Sequence, residues 1–227
     1  MSQTSILLLH GALGSQAQFN VLKQELQHSF DVHSFSFEGH GGRPSNRSYS
    51  MNHFVENVLD YLDENNIEST NIFGYSMGGF VALMMARMHP NRVNRIMTLG
   101  TKFDWTPEFA AAEIRKLNPE KIEEKVPRFA QFLAKIHAPL DWKKVVQNTA
   151  EMMINLGDER PLEKHYSSIS TPTLIALGSL DNMSTEEESR LVAEHIPNAD
   201  FKLIEGVEHP IEKVNAVELA HVIKSFL

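Results

Sequence analysis

The chain contains no cysteine, which excludes a disulfide framework and thiol chemistry. It is also short of basic residues: 21 Lys and Arg face 29 Asp and Glu, a formal charge of −8. That balance argues against a nucleic-acid or anionic-membrane partner, since each needs a basic patch. "MSQTSILLLH" lacks a basic leading region, and its apolar stretch is too short for a signal peptide or a spanning helix. A soluble, cytoplasmic protein is therefore expected, with no membrane partner. Phosphate cradles of the form G-x-x-x-x-G-K-[ST] and strand-borne G-x-G-x-x-G are missing, as are H-E-x-x-H and clustered metal-ligand sets. No cofactor and no metal are expected. Internal repeats and low-complexity tracts are absent too.

What is present is 227 residues, 42% hydrophobic, enough for one domain with a substantial core. Strand-length apolar runs occur at 5–10, 31–37, 70–75, 93–100, 171–178 and 201–206. Most are continuously apolar, as in strands of a parallel sheet covered on both faces. "DVHSFSF" alternates instead, which places it nearer an edge. Met51, Phe54, Val55, Val58, Leu59 and Leu62 follow i, i+3, i+4, i+7 spacing, one face of an amphipathic helix. "MGGFVALMMARMHP" is apolar nearly all round and reads as a buried helix stopped before Pro90. "AVELAHVIKSFL" supplies a terminal amphipathic helix. Strands alternating with helices predict βαβ units with helices on both faces of the sheet.

The alternation breaks between Lys102 and Ser170, where no strand pattern is found. Three helix starts there carry a cap residue: Thr106 before Pro107, Asn118 before Pro119 and Asp141 before Trp142. Both tryptophans lie in this stretch. It is expected to form a helical lid over one end of the sheet, the alternative being a subdomain that only packs.

"NIFGYSMGGF" sets Ser76 between Gly74 and Gly78, where a strand ends and a helix begins. This is the strand-turn-helix setting of a nucleophile elbow, in which small neighbours let the chain pass close by a crowded bend. The hydroxyl then projects beyond the sheet at the positive end of a helix. A serine is a weak nucleophile unless a base takes its proton and an acid orients that base. Of the late histidines, only His209 follows directly on a strand; His195 and His221 fall in helical patterns. Asp181, in "TLIALGSLDNM", is delivered into a loop at the same sheet edge. Oxyanion donors are expected from the backbone N–H of Met77 and of Ala12, with Leu13 second, in "HGALGS". His10 is expected to orient that loop without moving protons.

Along nearly its whole length the chain resembles the α/β-hydrolase superfamily, through "LLLHG", "EGHG", "GYSMGG", "LGSLD" and "GVEHP" in that order. The resemblance implies a fold of the α/β class, with a mainly parallel sheet of about six strands. Helices cover both faces, and a helical lid is inserted after the fourth strand. It implies that residues 1–101 and 171–227 form the core and 102–170 the lid, and that the chain starts at the superfamily's third strand. It also implies Ser76 as nucleophile, Asp181 as acid and His209 as base, with Ala12 and Met77 around the oxyanion.

The expected activity is that of a carboxylesterase-type serine hydrolase on a small-molecule ester or acyl substrate. Its pocket is drawn from His10, Tyr75, Phe103, Trp105, Phe129, Phe132 and Met152. A triad-bearing lyase or carbon–carbon bond hydrolase is the first alternative. It resembles the menaquinone-pathway lyases, although Phe80 stands where those carry an arginine. A non-catalytic small-molecule receptor is the second. Two motifs depart from the superfamily's pattern. "FEGHGGR" replaces D-x-G-H-G-x-S, which bears on the pocket wall, and Glu208 replaces the glycine before His209.

Overall fold

The computed structural model describes residues 3–227. Six strands form one parallel sheet: β1 (Thr4–Leu9), β2 (Phe30–Ser34), β3 (Thr70–Tyr75), β4 (Val93–Leu99), β5 (Thr173–Leu180) and β6 (Ala199–Glu208). Their order across the sheet is β2-β1-β3-β4-β5-β6, and every neighbouring pair is parallel. The fold class expected from the sequence is the one observed.

Side-chain alternation in β1 shows how the two faces are filled. Ile6 and Leu8 pack with Phe19, Leu22, Leu219 and Ile223 on one face, while Leu7 and Leu9 pack with Phe54, Val58 and Leu83 on the other. The first face is covered by α1 (Asn20–Leu26) and α9 (Ala216–Phe226). The second is covered by α2 (Met51–Glu64) and α3 (Met77–Met88). All four of these β1 side chains are fully buried. Each contributes roughly 1.5–3 kcal/mol of transfer free energy against the entropy of ordering the chain. α2 starts where the Ser50 hydroxyl accepts from the His53 N–H, and α3 is buried along its length to Ala86.

The alternating segment is indeed the edge strand β2. The opposite edge is β6, whose "FKLIEG" run is less covered than its apolar content suggests: Lys202 and Leu203 are exposed.

Between β4 and β5 the chain forms α4 (Pro107–Glu113), α5 (Pro119–Lys125), α6 (Pro127–His137) and α7 (Trp142–Glu159). Thr106, Asn118 and Asp141 cap three of them through side-chain oxygens. The fourth, α6, begins at Pro127 without a side-chain cap, which is why only three starts are legible. Ile122, Ala130, Leu133 and Val146 form a small core of their own here. Trp105, Met152 and Leu156 instead join the main core, anchoring the segment to the sheet. Among the described residues, no helix is long and apolar enough to cross a membrane.

Candidate active site

Because the sheet is parallel, the loops that leave the C-terminal ends of its strands gather along one rim. Ser76 sits there between β3 and α3 with φ 51° and ψ −116°, a backbone conformation that only glycine adopts without strain. Its N–H donates to the Leu99 carbonyl at 2.9 Å, and its carbonyl accepts from the buried Thr101 hydroxyl at 3.0 Å. The glycines around it are there for space. A Cβ on Gly74 would lie 2.5 Å from the Gly78 carbonyl oxygen, and one on Gly78 would lie 2.1 Å from that of Leu9. The bend is therefore fastened from both sides and closed to larger residues.

Asp181 follows β5. Its Oδ1 accepts from the N–H groups of Met183 at 2.8 Å and Ser184 at 3.0 Å, which leaves Oδ2 to face Nδ1 of His209 at 2.7 Å. The Asp181 side chain is 2% exposed and that of His209 10%. A carboxylate only accepts, so this contact keeps the imidazole proton on Nδ1 and leaves the Nε2 lone pair free. The Tyr75 hydroxyl donates to the His209 carbonyl at 3.0 Å, fixing the backbone of the loop after β6. Ser76 and His209 border the same cavity of about 480 Å³. Among the described residues no hydrogen bond joins their side chains; such contacts tighten when substrate is bound.

The loop after β1 is built around the Gly11 carbonyl. It accepts from the His10 Nδ1–H at 2.8 Å and the Gly14 N–H at 3.1 Å. A trans peptide sets the Ala12 N–H opposite to that carbonyl. Neither the Ala12 nor the Met77 N–H has a protein acceptor among the described residues, and both residues border the cavity, as does Leu13. His10 itself is fully buried, and its Nε2 accepts from the Phe37 N–H at 3.0 Å. Burial lowers its pKa from 6.5 to about 4, so it is neutral at pH 7.

The expected pocket residues divide. Tyr75, Trp105, Phe129 and Met152 line the cavity. His10 does not; it lies behind the loop against Phe37 and His40. Phe103 turns away to a second cavity with Tyr166, because its N–H is tied to the Glu188 carboxylate at 3.0 Å. Phe132 is stacked against Phe129, ring centroids 6.3 Å apart, and does not border the cavity. In "FEGHGGR" the departures are Phe37 and Arg43, where the pattern has Asp and Ser; Phe37 is buried against His10 and Phe54, Arg43 pairs with Glu38, and neither borders the cavity. Glu208 pairs with Lys213.

Gly100 had no local signal beyond a glycine at a strand end. At φ 62° it passes so close behind the Asp181–His209 pair that a Cβ would lie 2.8 Å from Asp181 Oδ2 and 3.2 Å from His209 Nδ1. Among the described residues no cluster of three or more potential ligands could hold a metal ion.

The fold and this rim define a class, and comparison with known proteins agrees. The family described as "alpha/beta hydrolase fold" matches residues 4–118, and the chain belongs to it. It is similar to a 2-hydroxymuconate semialdehyde hydrolase of Pseudomonas putida, 24% identical over 210 residues that cover 83% of this chain and 73% of that protein. It is also similar to 3-oxoadipate enol-lactonase 1 of Acinetobacter baylyi, 26% identical over 207 residues, covering 80% and 73% respectively. A thermophilic esterase from Thermogutta terrifontis, solved with malate bound, superimposes with a TM-score of 0.78 at 21% identity. That match covers 99% of this chain and 89% of the other. The chain is an enzyme of the hydrolase type; its family fixes no narrower chemistry.

Proposed function

We propose that the protein is a serine hydrolase of the carboxylesterase type, acting on a small-molecule ester through an acyl-enzyme. The observation that carries this reading is the 2.7 Å contact of Asp181 Oδ2 with His209 Nδ1, on a rim whose cavity is shared by His209 and the strained Ser76. His209 Nε2 takes the Ser76 hydroxyl proton as Oγ attacks the acyl carbonyl. The imidazolium that forms is stabilised by Asp181, which stays ionised. The N–H groups of Ala12 and Met77 donate to the oxyanion at the start of α3, where the helix dipole adds to theirs. His209 then returns the proton to the leaving alcohol, and water repeats the sequence to free the acid. Residues 102–170 serve as a lid that supplies the apolar acyl wall through Trp105, Phe129 and Met152.

Charge in the cavity supports an uncharged substrate. Its two lysines are already paired, Lys102 with Glu188 and Lys116 with Glu113 at 2.6 Å. Each lysine charge is thus already offset by a carboxylate, which favours a neutral ester with an apolar acyl group over an acidic substrate. The same pairing disfavours the lyase alternative with its acidic substrate. A cytoplasmic location is part of the proposal.

The test is a panel of p-nitrophenyl esters of increasing acyl length, run on the wild type and Ser76→Ala. Hydrolysis lost on substitution supports the ester reading. Covalent labelling of Ser76 by a fluorophosphonate, with no ester turned over, transfers the triad to a carbon–carbon or other acyl substrate. No labelling supports the receptor.

A further inference from the structure

His137 is the last residue of α6, 61 residues beyond Ser76 in sequence, yet it is fully buried against the loop after β1. Its Nδ1 accepts from the Gly41 N–H at 3.0 Å, and its Nε2 lies 3.1 Å from the Leu13 carbonyl. Since Nδ1 is an acceptor, the proton is on Nε2, which donates to Leu13. One imidazole thus joins three segments: the helix between β4 and β5, the glycine-rich turn after β2, and the loop after β1. Close packing holds them together, for a Cβ on Gly42 would lie 2.7 Å from the Ala138 carbonyl.

Leu13 has φ 58°, a left-handed conformation that costs a non-glycine residue on the order of 1 kcal/mol and persists only where surroundings hold it. The Leu13 carbonyl and the Gly14 N–H belong to one rigid peptide unit. That N–H donates to the Gly11 carbonyl, and the Gly11 carbonyl shares its own peptide unit with the Ala12 N–H. Fixing the Leu13 carbonyl therefore sets, through two planar units, the direction of the Ala12 N–H.

We infer that His137 is a positioning residue for oxyanion stabilisation, pinning the Leu13 carbonyl so that the Ala12 N–H faces the cavity. The inference rests on the serine-hydrolase reading. It also assigns the helical segment a task beyond covering the pocket: its α6 end braces the donor loop. His40 and His10 are the titratable groups facing His137, with ring centroids of His40 at 5.8 Å from His137 and 5.2 Å from His10. All three rings are neutral in this arrangement, since His10 and His137 both use one nitrogen as an acceptor and burial disfavours charge on each.

Side-chain geometry separates positioning from simple packing. A glutamine amide places its nitrogen near the site of Nε2 and keeps the bond to Leu13. An asparagine reaches only the site of Nδ1 and keeps the bond to Gly41 alone. kcat and KM for p-nitrophenyl butyrate, Ki for phenylboronic acid as a tetrahedral mimic, and Tm are measured for His137→Gln, His137→Asn and His137→Leu, beside Ser76→Ala. The expected result is a kcat at least tenfold lower for Asn and Leu, with KM within about twofold and Ki raised in step with the kcat loss; Gln stays within about threefold of wild type. If His137→Leu does not fold, the Gln and Asn pair decides alone. Equal kcat for Gln and Asn overturns the inference, as does a kcat loss without a change in Ki. Ser76→Ala that still hydrolyses the ester overturns the serine reading itself, a result distinguishable from either of those.

Discussion

Asp181 turns one carboxylate oxygen to two backbone N–H groups and the other to His209 Nδ1 at 2.7 Å, so a single side chain is both anchored and aimed. Replacing it with asparagine keeps the size and can keep the turn. It also lets the amide nitrogen face Nδ1, forcing the wrong imidazole tautomer. Asp181→Asn is expected to lower kcat by about 10³–10⁴-fold with little change in KM or in the folded circular dichroism spectrum. Steady-state kinetics on the best p-nitrophenyl ester check it.

Gly100 backs this pair from the end of β4. Alanine there meets both a left-handed φ and the Asp181 carboxylate, so Gly100→Ala is expected to lose about 1–2 kcal/mol of stability and at least tenfold in kcat. Urea denaturation together with kinetics separates the two effects. A variant that loses stability alone shows that the pair tolerates being pushed.

Ser76 carries the opposite sign. Its strained backbone suits glycine, so Ser76→Gly is expected to raise stability by about 1 kcal/mol while abolishing ester hydrolysis. Thermal unfolding of both proteins at one pH reads the gain. Unchanged or lower stability means that the hydroxyl contributes more to the fold than the strain costs.

Stability should also fall in mild acid. His10, His40 and His137 are buried neutral, with pKa values pushed below the ordinary 6.5 chiefly by desolvation, that of His10 to about 4. Between pH 6.5 and 4 the unfolded chain binds protons that these native rings do not. The stability they contribute is therefore complete above pH 6.5 and is lost as pH drops toward 4. His10 alone accounts for a change on the order of 3 kcal/mol over that window. Urea midpoints at pH 7.5 and pH 5 measure it; equal values contradict the assignment of the rings as neutral.

The acyl wall can be probed on one helix. Phe129 lines the cavity and Phe132, stacked beside it, does not. Phe129→Ala is expected to raise KM several-fold for octanoyl and longer esters and leave acetyl unaffected, while Phe132→Ala leaves all of them unchanged. Equal effects from the two substitutions place the acyl chain elsewhere.

Much of this was legible in the residues. Apolar runs of strand length and period-3.6 patterns mark the strands and helices, and strand-end loops in a parallel sheet meet at one rim, so the sequence already places Ser76, Asp181 and His209 along the same edge. His10, Phe103 and Phe132 do not line the cavity as expected, because residue type and position along the chain do not say which side chain a loop or helix turns inward. The tie from the Phe103 N–H to Glu188 spans 85 residues. Gly100 and His137 left no local mark for the same reason: one is defined by what would collide with it, the other by partners 96 and 124 residues away.

The most direct measurement is intact-mass spectrometry with peptide mapping after brief exposure to a fluorophosphonate, on the wild type, Ser76→Ala and His209→Ala. One adduct per chain is predicted, mapped to Ser76, absent in Ser76→Ala and formed orders of magnitude more slowly in His209→Ala. An adduct on another residue, or labelling of His209→Ala at the wild-type rate, contradicts the account.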